Sequence, residues 1–152
     1  MEIYHISSRN SNGKILTPRI PKNFFTNNGF EEDKTPRVCF AKSIDGALAA
    51  LSQNLENKEL FIHVPCDNIK YTNAINVPDS KITKEVWVKE PVKIKCIGVI
   101  KVSDAIDKPY EFTYGGKYKA ELYYWKWRWI KKFNNMDKLN KYINEYFKEW
   151  SD

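Results

Sequence analysis

The chain has 152 residues, 42% of them hydrophobic, and its aromatic side chains comprise 5 Trp, 9 Tyr and 8 Phe. This length and composition predict one folded domain over residues 1–152 and exclude a disordered chain. With 25 Lys and Arg against 19 Asp and Glu, the net charge is +6. That excess favours acidic partners only weakly, because many proteins carry as much charge for solubility alone.

The first residues contain no basic segment followed by an apolar stretch, and no window of the sequence is long and apolar enough for a membrane span. Cys39, Cys66 and Cys96 are odd in number and widely spaced. Such spacing argues against a disulfide framework and against a zinc site. We therefore expect a cytoplasmic protein with reduced thiols, no metal and no membrane contact.

The first part of the chain predicts strands and one helix separated by a long loop. Residues 2–6 form a short apolar run that ends in a polar turn, and residues 17–36 contain three prolines and an acidic patch (Glu31, Glu32, Asp33). Residues 37–41 indicate a buried strand. Ser43 follows as a helix N-cap, with apolar residues at helical spacing after it: Ile44, Ala47, Leu48, Leu51 and Leu55. Gly46 lies inside this helix and predicts that a ligand or another backbone comes close.

The second part predicts further strands at 59–64, 85–89 and 92–102, and then an alternating run at 121–130. In that run the aromatic residues Tyr123, Trp125, Trp127 and Trp129 share one face of a strand. After Asn134 or Asn135, apolar residues from Met136 to Trp150 recur at steps of three and four, which predicts an amphipathic C-terminal helix. The whole pattern is typical of the α+β class, with a mixed, largely antiparallel sheet and a short central helix.

The sequence contains two histidines, His5 and His63. His63 lies in an apolar strand, where a buried histidine with satisfied hydrogen bonds is the favoured interpretation. His5 lies on the first strand just before a polar turn, so both a ligand contact and a structural role stay open. The chain lacks a GxSxG elbow, a P-loop and a GxGxxG fingerprint, which argues against the hydrolases and nucleotide-binding proteins that use them.

Four segments, taken in order, carry a resemblance to a known family. They are Tyr4-His5-Ile6-Ser7, Ile15-Leu16-Thr17-Pro18-Arg19, Val38-Cys39-Phe40-Ala41-Lys42-Ser43-Ile44-Asp45, and Glu85-Val86-Trp87 leading to Pro91-Val92. Over residues 3–102 this layout resembles small proteins of the ADP-ribosyltransferase fold, in particular rifamycin-modifying ADP-ribosyltransferases and RNA 2′-phosphotransferases. The motifs are short, and residues 117–150 are not explained by them.

The resemblance implies a split β-sandwich whose cleft binds NAD as substrate and transfers ADP-ribose to an acceptor, such as a protein or a nucleic acid. His5 matches the histidine that binds the nicotinamide ribose, and Glu85 is the candidate for the carboxylate that stabilises the developing cation. Phe40 stands where the family usually has a tyrosine that stacks on nicotinamide. The remaining expected nucleotide contacts are Tyr4, Arg19 and Arg37, the arginines through the pyrophosphate.

Other functions stay open from the sequence. Glu85 could be a strand-edge charge, and a member of this fold without catalysis could act as a binding module or inhibitor. Residues 110–150 hold 14 aromatic residues, and residues 117–152 carry nine Lys and Arg against five Asp and Glu. Such a segment could bind single-stranded nucleic acid or a protein partner. However, strand geometry puts the tryptophans and cations on opposite faces, which favours an aromatic face packed in the core.

Overall fold

A computed structural model describes residues 2–22, 27, 31–51, 54–105, 109–114 and 118–133. The strands are β1 (His5–Ser7), β2 (Ile15–Leu16), β3 (Val38–Ala41), β4 (Glu59–Pro65), β5 (Thr72–Asn73), β6 (Glu85–Val88), β7 (Val92–Ala105), β8 (Tyr110–Tyr114), β9 (Tyr118–Leu122) and β10 (Trp125–Lys132), and the helices are α1 (Ile44–Leu51) and α2 (Ser80–Thr83). The described strands pair in antiparallel fashion, and together with the helices they give an α+β fold. The predicted C-terminal helix lies outside the described residues.

The larger sheet has the strand order β1-β4-β7-β10. Strand β7 pairs with β4 along one edge, and on the other edge it pairs with β2 near its start and with β10 further along. Because β7 serves two partners along one edge, it needs the 14 residues that the structure gives it.

The smaller sheet has the order β3-β6-β5. It meets the larger sheet at Tyr4, immediately before β1. The Tyr4 amide donates to the Ala41 carbonyl at 2.8 Å, and the Ala41 amide donates back to the Tyr4 carbonyl at 3.0 Å. The start of the chain therefore connects β3 of one sheet with β4 of the other.

Two apolar clusters hold these parts together. One lies between α1 and the larger sheet and includes Leu48, Leu60, Ile62, Ile100 and Trp125. The other lies between the smaller sheet and the first half of β7, and it comprises Ile3, Val38, Phe40, Val86, Val88, Val92 and Ile94. Burying each such side chain contributes roughly 1.5–3 kcal/mol, so these clusters fix the position of β1 and β3.

The beginning of α1 follows the sequence prediction. The Gly46 amide donates to the Ser43 hydroxyl at 2.9 Å, which confirms Ser43 as the cap. A Cβ on Gly46 would collide with the backbone carbonyl of Thr83 at the end of α2. The prediction that another backbone approaches Gly46 is thus confirmed. The helix ends at Leu51, before the predicted Leu55, and Leu51 is exposed.

The alternating run at 121–130 forms parts of two strands, so the prediction of one strand is wrong. Strand β9 pairs with β8 and ends at Leu122, whereas β10 pairs with β7 and begins at Trp125. The two partners differ, so the chain leaves one ladder before it joins the other.

The aromatic face of this segment packs inward. Trp125 is 2% exposed, and Tyr123, Trp127 and Trp129 pack against the cluster beneath α1. The interpretation as a core residue is therefore confirmed for Trp125, whereas Trp127 and Trp129 are half-buried. Within the described ranges, no helix combines the length and apolar character needed to cross a membrane.

Candidate active site

A cleft of about 290 Å³ opens where β1 meets β3, between α1, the α2–β6 junction and the loop that precedes β3. Its walls are formed by Tyr4, His5, Ile6, Pro21, Glu31, Arg37, Cys39, Phe40, Ala41, Ala47, Ala50, Leu51, Thr83 and Glu85. Five of the six residues predicted from the sequence are in this set. The sixth, Arg19, lines a second cleft of about 620 Å³ that shares His5, Pro21, Arg37 and Cys39 with the first.

His5 is mostly buried in the cleft wall. Its ring meets the ring of Phe40 edge-on, with 6.1 Å between the centroids. Burial lowers the pKa of His5, and a hydrogen bond to the backbone of Cys39 only partly opposes that effect. His5 is therefore neutral at physiological pH, when an imidazole offers one donor and one acceptor.

His63 supports His5 from behind. Its Nδ1 lies 3.2 Å from the His5 carbonyl and its Nε2 accepts from the Ser11 amide at 2.9 Å, so the partners assign the proton to Nδ1. The side chain is fully buried, and this burial lowers the pKa of His63 to about 4. The prediction of a satisfied strand histidine is confirmed.

Glu85 is the first residue of β6 and reaches the cleft from the side opposite β1. Its carboxylate accepts a hydrogen bond from the Trp87 indole at 2.9 Å. Burial raises the pKa of Glu85; the Trp87 bond counteracts this and the negative charge of Asp79 adds to it. The carboxylate is thus fixed in orientation and poorly solvated, which strengthens its interaction with any cation in the cleft.

Phe40 and Tyr4, the two aromatic residues predicted to contact the nucleotide, differ in how far their side chains are exposed. Phe40 is 3% exposed and belongs to the cluster between the sheets, so its ring serves mainly as the support for His5. Tyr4 is only partly buried, and its hydroxyl donates to Glu2 at 3.1 Å. Tyr4 therefore exposes more of its side chain than Phe40 does.

Arg37 holds the wall of the cleft together. Its guanidinium donates to the Glu32 carboxylate at 3.0 Å, to the Thr35 carbonyl at 3.1 Å and to the Glu32 carbonyl at 2.9 Å. It also lies over the Trp87 ring at 4.2 Å. Because the side chain is buried and these donors are engaged, a phosphate would have to displace Glu32 to reach them.

The Arg19 side chain is more available than that of Arg37 to bind a phosphate. Its backbone forms an isolated bridge with Arg37, in which the Arg19 amide donates at 3.1 Å and the Arg37 amide at 3.0 Å. The Arg19 side chain is exposed, and it lines the second cleft together with Lys22. Among the described residues, those that line this second cleft include cations and no carboxylate.

Sequence reasoning missed two residues of the first cleft. Glu31 comes from the long loop, and its pKa is raised to about 7 by burial and by the charges of Asp79 and Glu85. Thr83 ends α2, and its buried hydroxyl has no hydrogen-bond partner among the residues that the structure describes. The acidic patch in a long loop was the one available signal for Glu31, since such loops often carry function. The sequence contains no signal that would have singled out Thr83.

Comparison of the chain with models of protein families, with curated proteins and with solved structures finds no match to any of them. In the described residues, no group of three or more His, Cys, Asp or Glu side chains is arranged to hold a metal ion.

Proposed function

We propose that the first cleft binds the nicotinamide riboside part of NAD and that the protein transfers ADP-ribose from it to an acceptor. In this proposal the two sheets are the halves of a split β-sandwich like that of the ADP-ribosyltransferases. The observation that carries it is that His5 and Glu85 line one cleft although they belong to different sheets.

The charges of the two clefts support this choice of ligand. The first cleft contains Glu31 and Glu85, which suit the positive charge of the nicotinamide ring. The second contains Arg19 and Lys22, which suit a pyrophosphate. A dinucleotide that is cationic at one end and anionic in the middle matches two clefts that share wall residues and differ in charge.

The side chains fit the reaction as follows. The neutral His5 ring keeps its N–H on the backbone of Cys39, and its other nitrogen accepts a hydrogen bond from a ribose hydroxyl, which orients the sugar. As the bond between C1′ and nicotinamide breaks, nicotinamide leaves with the electron pair and positive charge develops on the ribose. The Glu85 carboxylate, held by Trp87, stabilises that charge in a poorly hydrated site.

The binding step is tested by calorimetry and by thermal unfolding with NAD. A ligand present at about 100 times its Kd stabilises the folded state by about 2.7 kcal/mol, which raises the Tm by roughly 5–10 °C in a protein of this size. We expect His5→Ala to weaken NAD binding about tenfold, since it removes the hydrogen bond that holds the ribose. The exposed Glu90, which lines neither cleft, provides a matched control as Glu90→Gln. A wild-type Tm that does not move in millimolar NAD overturns the proposal.

The catalytic step is tested by the release of nicotinamide. Glu85→Gln keeps the shape of the side chain and removes the charge, so we expect the rate to fall roughly 10²–10³-fold with NAD binding retained. The Glu90→Gln variant should match the wild type. Tight binding of NAD without any release of nicotinamide by the wild type would instead favour the non-catalytic binding module.

A further inference from the structure

Glu31 is held in the first cleft by its neighbour. The Glu32 amide donates to the Asn76 carbonyl at 3.2 Å, and the Glu32 carboxylate accepts from the amides of Lys34 and Thr35 and from the Arg37 guanidinium. These bonds fasten the loop both to the segment before α2 and to β3. The carboxyl group of Glu31 is therefore placed in the cleft by a network in which it does not itself take part.

We propose that Glu31 is the general base of the transfer reaction and that the acceptor reacts through a hydroxyl group. The proposal rests on the function proposed above. It assigns the two carboxylates of the cleft to two steps: Glu85 to the departure of nicotinamide, and Glu31 to the arrival of the acceptor.

The other polar groups of the cleft are less suited than Glu31 to take the proton of the acceptor. The Arg37 guanidinium is bound to Glu32, and His5 is engaged with the backbone of Cys39. Burial raises the pKa of Cys39 to about 12, so its thiol is a poor proton acceptor. Glu85 is bonded to Trp87. A pKa near 7 for Glu31 suits a base, because it combines a useful fraction of carboxylate at neutral pH with appreciable basicity.

The remaining walls indicate the chemistry of the acceptor. Pro21, Ala47, Ala50 and Leu51 form an apolar side of the cleft, against which a charged guanidinium or ammonium would lose hydration. The buried Thr83 hydroxyl lines the same cleft with no partner among the described residues, and it can donate to or accept from a neutral hydroxyl. A neutral O–H group on an apolar body fits both features.

The step balances without any further reagent. The C1′–nicotinamide bond breaks and nicotinamide takes its electrons. The acceptor oxygen then forms a bond to C1′, and its proton passes to the Glu31 carboxylate, which later releases it to water.

The experiment uses the full chain, NAD, and methanol as a probe acceptor, and it measures methyl ADP-ribose. We expect Glu31→Gln to lower this transfer at saturating NAD roughly 10²–10⁴-fold, far more than the loss of its charge weakens NAD binding. Azide carries no proton to remove, so added azide should restore nicotinamide release in Glu31→Gln, with ADP-ribosyl azide as the product. It should not restore release in Glu85→Gln, because the developing cation remains unstabilised. Glu90→Gln again serves as the control.

The outcomes separate this inference from the proposed function. A wild type that neither binds nor cleaves NAD overturns both. A wild type that is active while Glu31→Gln transfers to methanol at the full rate overturns only the role of Glu31, and transfer to an arginine ester but not to methanol overturns the hydroxyl acceptor. If Glu31→Gln fails to fold, the pH dependence of the wild type provides the test. The rate of transfer to methanol should fall as the pH drops from 8 to 6, while the rate of transfer to azide stays level. If the two rates change with pH in parallel, Glu31 is not the general base.

Discussion

Histidine 63 and arginine 37 are buried polar side chains whose hydrogen bonds position the cleft without presenting a reactive group to it. His63 joins the backbone of His5 to that of Ser11, and Arg37 joins the acidic loop to β3. A buried polar group of this kind is costly when a partner is lost, so each makes its neighbourhood rigid. Both residues therefore affect the cleft by holding its wall segments in place.

His63 should make the stability of the protein fall in acid. In the unfolded chain its pKa is near the ordinary 6.5, whereas in the folded protein it is about 4. Between these values the unfolded state binds more protons, so the free energy of unfolding decreases as the pH falls from about 6.5 to about 4. The full effect of this one group is on the order of 3 kcal/mol.

Urea unfolding at a series of pH values measures this dependence. His63→Gln removes the titrating ring and keeps an amide that can bond to Ser11, so we expect the difference between wild type and variant to shrink as the pH falls through that window. A difference that is constant from pH 7 to pH 4 would contradict the assignment. Comparing the two proteins cancels the carboxyl groups, which titrate in both.

At the level of elements, the contact between α1 and the end of α2 depends on the absence of a side chain at Gly46. Alanine favours a helix over glycine by about 1 kcal/mol, but its Cβ would overlap the Thr83 carbonyl, and overpacking of this kind costs typically 1–3 kcal/mol. We expect Gly46→Ala to destabilise the protein overall, as measured by urea unfolding.

A matched substitution in the same helix separates propensity from packing. Ala50 is exposed, so Ala50→Gly should cost about 1 kcal/mol through helix propensity alone. If Gly46→Ala instead raised the stability by about that amount, the close approach to Thr83 would be refuted.

Elements with a strong periodic signal were predictable, and those fixed by distant contacts were not. The cap at Ser43 and the apolar strands β4 and β7 follow from local patterns. The two-residue strands β2 and β5 are too short to show a period. The break before β10 arises because the first part of the alternating run pairs with β8 and the later part pairs with β7.

The same distinction holds for the site. His5 and Glu85 could be nominated because the order of the segments that contain them resembles that of a known fold. Glu32 binds the Arg37 guanidinium, and Glu31 lines the cleft. Both depend on how the long loop before β3 folds back, which local sequence does not encode.

For the whole molecule, the bridge between Tyr4 and Ala41 predicts that the two sheets unfold together. Chain segments from both sheets share it, and the clusters on either side include residues of β7 or β1. We expect a single cooperative transition in urea.

The variant Trp87→Phe provides the test, since it removes a tryptophan of the smaller sheet and leaves those of β10. Within this variant, tryptophan fluorescence and far-ultraviolet circular dichroism should give one midpoint. Loss of the dichroism signal at lower urea than the fluorescence signal would show that the smaller sheet unfolds on its own.

The length and position of β7 also bear on how the protein is made. The described residues that line the first cleft lie between Tyr4 and Glu85, so all of these leave the ribosome before β7 does. Yet β4, on which β1 depends, has its other edge paired to β7. A nascent chain that ends before Val92 therefore carries all of these side chains without the strand that supports β4. A growing chain therefore completes the support of the cleft only after β7 has left the ribosome.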